Sequence, residues 1–278
     1  MATAIAHTVT AAPLAALLPD RRRVPWTVGP APQLIRAGAA MSRLRQGDRA
    51  FDIVELPGRI EVYADRPGND LAPLAPDAVL TDLGPDPVAE LAAVVLRTVL
   101  PRLEGEAMQA TMRAHGWEQV VIDGAQLMNE VGFDLIDHGA HVEPTNRADG
   151  SFGIEWTAPS RAGWGLWVPR AGGILSLSYE GPVSGLYGVL PVLLPPADIR
   201  VPHNPGSVFT RHLTDRFPQL RAIADDQVAF GSLDDVNGFI ALPEDDEPTD
   251  HADDSRQVVA ILDGIGVDLL LTVVPHLV

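Results

Sequence analysis

Hydrophobic and polar positions follow two different periods along the chain. Over residues 87–115, apolar side chains recur at i, i+3, i+4 and i+7, which is the period of one face of an α-helix. Asp86 and Pro87 suit the cap and the first residue of such a helix. The pattern predicts one long amphipathic helix that ends near Gly116, with a kink at Pro101.

Strand-like alternation occurs in three other regions. The clearest hairpin is AFDIVELPGRIEVYAD, residues 50–65, with Pro57 and Gly58 in its turn. Four more strands are predicted within residues 133–181, where FDLIDHGAHVEP, GSFGIEWTA, GWGLWVP and GILSLSYEG are separated by short turns. This spacing is typical of an antiparallel meander. A last hairpin is expected around Asn237-Gly238.

Shorter helices are expected between these strands. One covers residues 30–45, where Leu34, Ala37, Met41 and Leu44 have helical spacing. A short helix, GAQLMNEV, is expected to end at Gly132. The C-terminal apolar stretch is predicted to be a helix that is broken near residues 264–266.

Helices and strands do not alternate regularly in this order of elements. The pattern therefore predicts an α+β fold, in which antiparallel hairpins and a central meander pack with helices, rather than a parallel sheet. With 278 residues, the chain is long enough for one or two compact domains. Three regions are expected: a helix and hairpin at 1–83, the long helix and meander at 84–185, and a helix-hairpin-helix region at 186–278 with an acidic loop at 243–254.

The composition excludes several kinds of chemistry. Without cysteine, the chain has no disulfides, thiol nucleophiles or cysteine-bound metals. It also has no lysine, since all 20 basic residues are arginine, and this excludes Schiff-base chemistry and a phosphate-binding P-loop lysine. The net charge of −17 disfavours nucleic acid and anionic lipid as partners.

The source and the location of the protein are also constrained. Arginine-only usage with abundant alanine and proline is typical of a GC-rich bacterium, its phages or its plasmids. Residues 1–20 are apolar but lack the basic start of a secretory signal, and the C-terminal apolar run is too short to span a bilayer. We therefore expect a cytoplasmic protein that does not associate with a membrane.

The pattern H-x-x-H-x-E, formed by His138, His141 and Glu143, is the strongest candidate for chemistry. Imidazole and carboxylate groups bind divalent transition metals and also act as acid and base. On a regular strand, His141 and Glu143 share a face while His138 points the other way, so convergence requires a bulge at Gly139. Otherwise these residues form a polar, solvent-facing strand edge. We refer to the three side chains as the His/Glu cluster.

Four of the five tryptophans lie in or beside the predicted meander, at positions 117, 156, 164 and 167. Tryptophans on a sheet mostly pack against a helix, but exposed ones stack on sugars or nucleobases. Trp164 and Trp167 are three positions apart, so we expect them on opposite faces, with at least one exposed. Together with Trp156, they are the candidate binding residues.

Signatures of the common enzyme classes are missing. The sequence around Ser184 lacks the glycine two positions before a catalytic serine, and the glycine motifs of nucleotide-binding proteins are absent. The acidic loop lacks the central glycine of a calcium site. His212 is interpreted as an isolated histidine on a short helix.

These observations favour a non-enzymatic protein. The acidic composition, the clustered tryptophans and the missing catalytic signatures predict an accessory, inhibitory or assembly component that binds a protein partner and needs no cofactor. One alternative is an enzyme that uses the His/Glu cluster with a divalent transition metal or as a general acid and base. A weaker alternative is carbohydrate or nucleobase binding through the three candidate tryptophans.

Overall fold

The computed structural model describes residues 8–32, 38–66, 75–159, 161–169, 175–195, 206–232, 235–243 and 253–278. Leu34, Ala37 and most of the acidic loop, 244–252, lie outside these ranges. The chain divides into two compact units, 1–104 and 105–278. Antiparallel sheets of five and eight strands, together with helices, confirm the predicted α+β fold. Within the described residues, no helix combines the length and apolar character needed to cross a membrane.

Unit 1 contains an antiparallel sheet whose strands lie side by side in chain order. Its first elements are α1 (Ala11–Leu17), β1 (Thr27–Gly29), β2 (Ala40–Gln46), β3 (Arg49–Leu56), β4 (Arg59–Ala64) and β5 (Ala78–Thr81). The predicted hairpin at Pro57-Gly58 is confirmed, since Leu56 pairs with Arg59. Gly58 has a φ of +69°, which the second central residue of such a turn requires.

The helix predicted before this hairpin is wrong where the structure describes it, because Met41 and Leu44 lie in strand β2. The pairing of β2 with β3 places Arg43 directly opposite Asp52. Arg43 Nε and Asp52 Oδ1 are 2.8 Å apart, and this hydrogen bond raises the pKa of Arg43. Cross-strand pairing therefore overrides the helical spacing of the apolar residues.

The predicted long helix is confirmed and runs from Pro87 to His115. It consists of α2 (Pro87–Val94), a π-helical turn (Val95–Val99) and α3 (Leu100–His115). Asp86 caps it, with Oδ1 accepting a hydrogen bond from the Ala89 N–H at 3.0 Å. In the π-helical turn the Leu100 N–H donates to the Val95 carbonyl, five residues earlier. The widened turn lies directly before Pro101, which has no N–H to donate.

Unit 2 is built around the eight-stranded sheet. Its elements are α4 (Trp117–Asp137), β6 (His141–Asn146), β7 (Phe152–Thr157), β8 (Gly163–Val168), β9 (Leu175–Pro182), α5 (Leu190–Leu193), α6 (Val208–Arg216), β10 (Arg221–Ala224), β11 (Gln227–Phe230), β12 (Asn237–Ala241), β13 (Gln257–Ile265) and α7 (Val267–Val273). The strand order is β10-β11-β12-β13-β9-β8-β7-β6. The predicted meander is confirmed as the neighbouring strands β6 to β9.

Two predictions in the C-terminal part require correction. Strands β11 and β12 do form a hairpin, but Asn237 and Gly238 begin β12 instead of forming the turn. The C-terminal apolar stretch is not a broken helix, since residues 257–265 form β13 and only the following residues are helical. Val258 and Ala260 are buried while the intervening position is less so, which is the alternation of a strand. Sheet neighbours on both sides of β13 explain its apolar character.

Helix α4 is longer than predicted because Gly132 lies inside it and not at its end. Residues 133–137, expected to be strand, form the last helical turns. Gly124 and Gly132 face the sheet, and a Cβ at Gly124 would lie 2.5 Å from the Phe152 ring. These glycines therefore allow the close packing of α4 on β7.

Gly153 allows the close approach of β7 and β8, because a Cβ at this position would overlap the carbonyl oxygen of Leu166. We expect Gly153→Ala to lower the free energy of unfolding by about 2 kcal/mol. Urea denaturation measures this value. Gly163→Ala is the matched control, since its Cβ would lie 3.7 Å from the nearest atom, the Glu180 carbonyl oxygen. Equal losses in the two variants would contradict the steric explanation.

Candidate functional site

An aromatic row crosses the covered face of the sheet in unit 2. Trp156, Trp164 and Tyr179 lie directly opposite one another on β7, β8 and β9. The two indole rings are 6.3 Å apart at an interplanar angle of 8°, and the Trp164 and Tyr179 rings are 4.4 Å apart. The Trp156 indole N–H donates to the Leu277 carbonyl at 3.0 Å. These contacts make the row part of the hydrophobic core of unit 2.

The three candidate tryptophans are all buried: Trp156, Trp164 and Trp167 are 3%, 3% and 2% exposed. Trp167 points away from the aromatic row, but the guanidinium of Arg147 lies 3.6 Å from its ring centroid. The Trp167 indole N–H also donates to Ser178 Oγ at 3.1 Å. The expectation of an exposed tryptophan is wrong because an arginine covers the outward-facing ring.

A groove of about 590 Å³ lies over the face of the sheet opposite the aromatic row. It crosses β6, β7, β8, β9 and β13, which are neighbours in the sheet. On the central strand β8 it is lined by Gly163 and Gly165, which pair with Thr157 and Glu155 on β7. Gly165 is buried beneath Trp167 and Ser178, so the backbone of β8 is accessible from the groove mainly at Gly163, which is partly exposed.

Three glutamates give the groove its charge. Glu143 and Glu155 lie directly opposite each other on β6 and β7, and Glu180 lies on β9. Glu155 and Glu180 are exposed and have no hydrogen bond or ion pair with the described residues. Among the lining residues that the structure describes, Arg147 is the single arginine, and it is stacked on Trp167. The groove therefore has a negative potential that its own cation only partly offsets.

The His/Glu cluster is only partly brought together. His141 Nε2 and Glu143 Oε1 are 3.3 Å apart on β6, and their side chains are 89% and 73% exposed. His138 lies at the end of α4, with Nδ1 2.8 Å from the Asp134 carbonyl oxygen. Gly139 has a φ of +98°, but it terminates α4 and forms no strand bulge. No three His, Asp or Glu side chains in the described ranges are arranged to hold a metal ion.

A second polar cluster was missed by the sequence analysis. The Tyr187 hydroxyl donates to Asp254 Oδ1 at 2.6 Å, and His212 Nε2 lies 2.9 Å from both oxygens. Burial and the hydrogen bond to Asp254 raise the pKa of Tyr187, while the hydrogen bonds from Tyr187 and His212 lower the pKa of Asp254. The cluster ties α6 to the residues before β13. His212 is therefore not isolated.

Glu180 and the lining glycines of β8 were also missed. In GWGLWV the period of two places Gly163, Gly165 and Trp167 on one face and Trp164 and Leu166 on the other. Recognising the groove also required the register that places Glu143, Glu155 and Gly165 in one line across three strands. No single segment of the sequence determines that register.

Burial next to the groove affects the response of the protein to alkali. Loss of hydration raises the pKa of Tyr179 from 10.0 to about 12. The contribution of the neutral phenol to stability is therefore complete below pH 10 and is lost as the pH rises through about 12, since the unfolded chain releases this proton first. We expect Tyr179→Phe to reduce the fall in unfolding free energy over this range.

Urea denaturation at a series of pH values measures this effect. At neutral pH the variant should lose about 1 kcal/mol, because the Tyr179 hydroxyl donates to the Pro182 carbonyl. An alkaline slope identical to that of the original protein would contradict the prediction.

No family model, curated protein or solved structure matches the chain.

Proposed function

We propose that this protein is a non-enzymatic accessory, inhibitory or assembly protein, and that its groove binds an extended, arginine- or lysine-bearing segment of a protein partner. One observation carries the proposal: Glu143, Glu155 and Glu180 line a single concave surface whose own arginine is already engaged. Cationic side chains of a partner would supply the missing positive charge.

The dimensions of the groove support an extended occupant. Five neighbouring strands contribute to it, and the four spacings between them span roughly 19 Å. This distance corresponds to about six residues of an extended chain at ~3.3 Å per residue. Gly163 is partly exposed and has no side chain, so such a segment can approach the sheet closely at this position.

The exposure of the His/Glu cluster favours binding over catalysis. His141 and Glu143 are 89% and 73% exposed, so water solvates both side chains. Acid-base catalysis gains from burial that adjusts a pKa toward the working pH, and this pair has little burial. The same carboxylate can instead take part in ion pairs with a cationic partner.

A short basic peptide tests the proposal. The probe is a peptide of about eight residues that alternates arginine and threonine, long enough to cross the groove at ~3.3 Å per residue. We expect Glu155→Gln/Glu180→Gln to weaken its binding about tenfold, from roughly 0.7 kcal/mol for each lost ion pair. Isothermal titration calorimetry at moderate salt measures the affinity.

The matched control removes the same charge elsewhere in unit 2. Asp215 and Asp226 are exposed and lie outside the groove, so Asp215→Asn/Asp226→Asn should leave the affinity within about twofold. A second peptide with glutamate in place of arginine should not bind. Equal weakening by the two double variants would mean that only net charge attracts the peptide, and the groove would be rejected as its site.

A further inference from the structure

Helix α4 carries an exposed apolar stripe on the side that faces away from the sheet. Ile122, Phe133 and Ile136 are 53%, 68% and 50% exposed. They are spaced i, i+11 and i+14, which places them within about 60° of one another around the helix axis, with the exposed polar residues Gln126 and Asn129 between Ile122 and Phe133. The opposite side of α4 is buried against the sheet, as Gly124 against Phe152 illustrates. The stripe is therefore separate from the groove.

A row of carboxylates runs beside this stripe. Each of the three apolar residues is followed directly by an aspartate, at Asp123, Asp134 and Asp137, and Asp123 accepts a hydrogen bond from Gln119 Nε2 at 2.8 Å. Helix α4 contains no arginine or lysine. Burial and the charge of Asp137 raise the pKa of Asp134, whereas His138 opposes this change. At the C-terminal end of α4 this edge carries Asp134 and Asp137, and His138 Nδ1 lies 3.9 Å from Asp134 Oδ1.

We propose that α4 docks a basic amphipathic helix of a partner protein. The apolar face of that helix would cover Ile122, Phe133 and Ile136, and its arginine or lysine residues would lie along the carboxylate row. The stripe extends over about 21 Å at ~1.5 Å per residue, so a partner helix of about four turns covers it. This surface is independent of the proposed groove.

The charge pattern selects this occupant over two others. A second copy of α4 packed antiparallel on the stripe would bring the same carboxylate row against the first, and like charges at close range disfavour that contact. An anionic membrane surface would be repelled in the same way. A basic amphipathic helix can cover the apolar stripe and pair its cations with the aspartates at the same time.

A designed peptide tests the proposal on the full-length protein. The probe is an amphipathic peptide of about 18 residues, long enough to span the stripe at ~1.5 Å per residue, with leucine on one face, arginine along one edge and glutamine elsewhere. We expect it to bind and to gain helical circular dichroism on binding. A sister peptide with glutamate in place of arginine should not bind.

Single substitutions locate the site. Phe133→Ser should weaken peptide binding at least tenfold, because Phe133 is the most exposed of the three apolar side chains and a large aromatic anchor carries a large share of the affinity of an interface. Ile223→Ser is the matched control, since Ile223 is 48% exposed on β10, away from the stripe. Asp134→Asn/Asp137→Asn should weaken binding more than Asp215→Asn/Asp226→Asn, which removes the same charge elsewhere in unit 2.

Three results would overturn the proposal: no binding of the arginine peptide, equal losses with Phe133→Ser and Ile223→Ser, or equal losses with the two aspartate double variants. Self-association of the protein that Phe133→Ser abolishes would assign the stripe to a second copy instead. Glu155→Gln/Glu180→Gln should leave binding of the helical peptide unchanged, so failure at the groove and failure at α4 are distinguishable.

Discussion

The direct cross-strand stacking of Trp156 on Trp164 is the contact on which the rest of unit 2 depends. These rings are buried on the covered face, so the adjacent Glu155 and Gly165 must point to the other face, because strand residues alternate. A slip of one residue would expose the rings and bury a carboxylate, which costs several kcal/mol. The aromatic row therefore fixes the groove as well as the core.

The sheet of unit 2 separates two acidic surfaces of different shape. One is a concave groove across five strands, and the other is a convex helix with exposed apolar residues. An extended segment suits the first and a helix suits the second. No single short peptide can contact both sides of the sheet, so simultaneous binding would require two basic elements on one partner or two partners.

Sequence periodicity predicted the elements with a local cause. Asp86-Pro87 starts the long helix and Pro57-Gly58 forms the turn between β3 and β4, as the structure confirms. Periodicity gave the wrong element where contacts with residues distant in the sequence determine the local structure. Met41 belongs to a strand because β3 pairs with it, and Gly132 continues a helix because the sheet lies against it. A glycine that ends a helix cannot be distinguished, in a single sequence, from a glycine that allows close packing.

The candidate site was predictable only in its parts. Glu143 and the tryptophans were identified from their residue types, but the line from Glu143 to Glu155 and Gly165 depends on register across three strands. The arginine that covers Trp167 comes from the turn after β6 and leaves no sequence motif. Long-range pairing of this kind is the part of a fold that short windows do not encode.

Arg147 has a further consequence for recognition. Its guanidinium occupies the face of Trp167, and this is the position that an incoming arginine would use for stacking. Arg147 therefore competes with any cation of a partner for stacking on Trp167. While Arg147 stays on the ring, the groove can select an occupant only by the spacing of its positive charges relative to the glutamates. Stacking of an incoming arginine on Trp167 would require Arg147 to move off the ring.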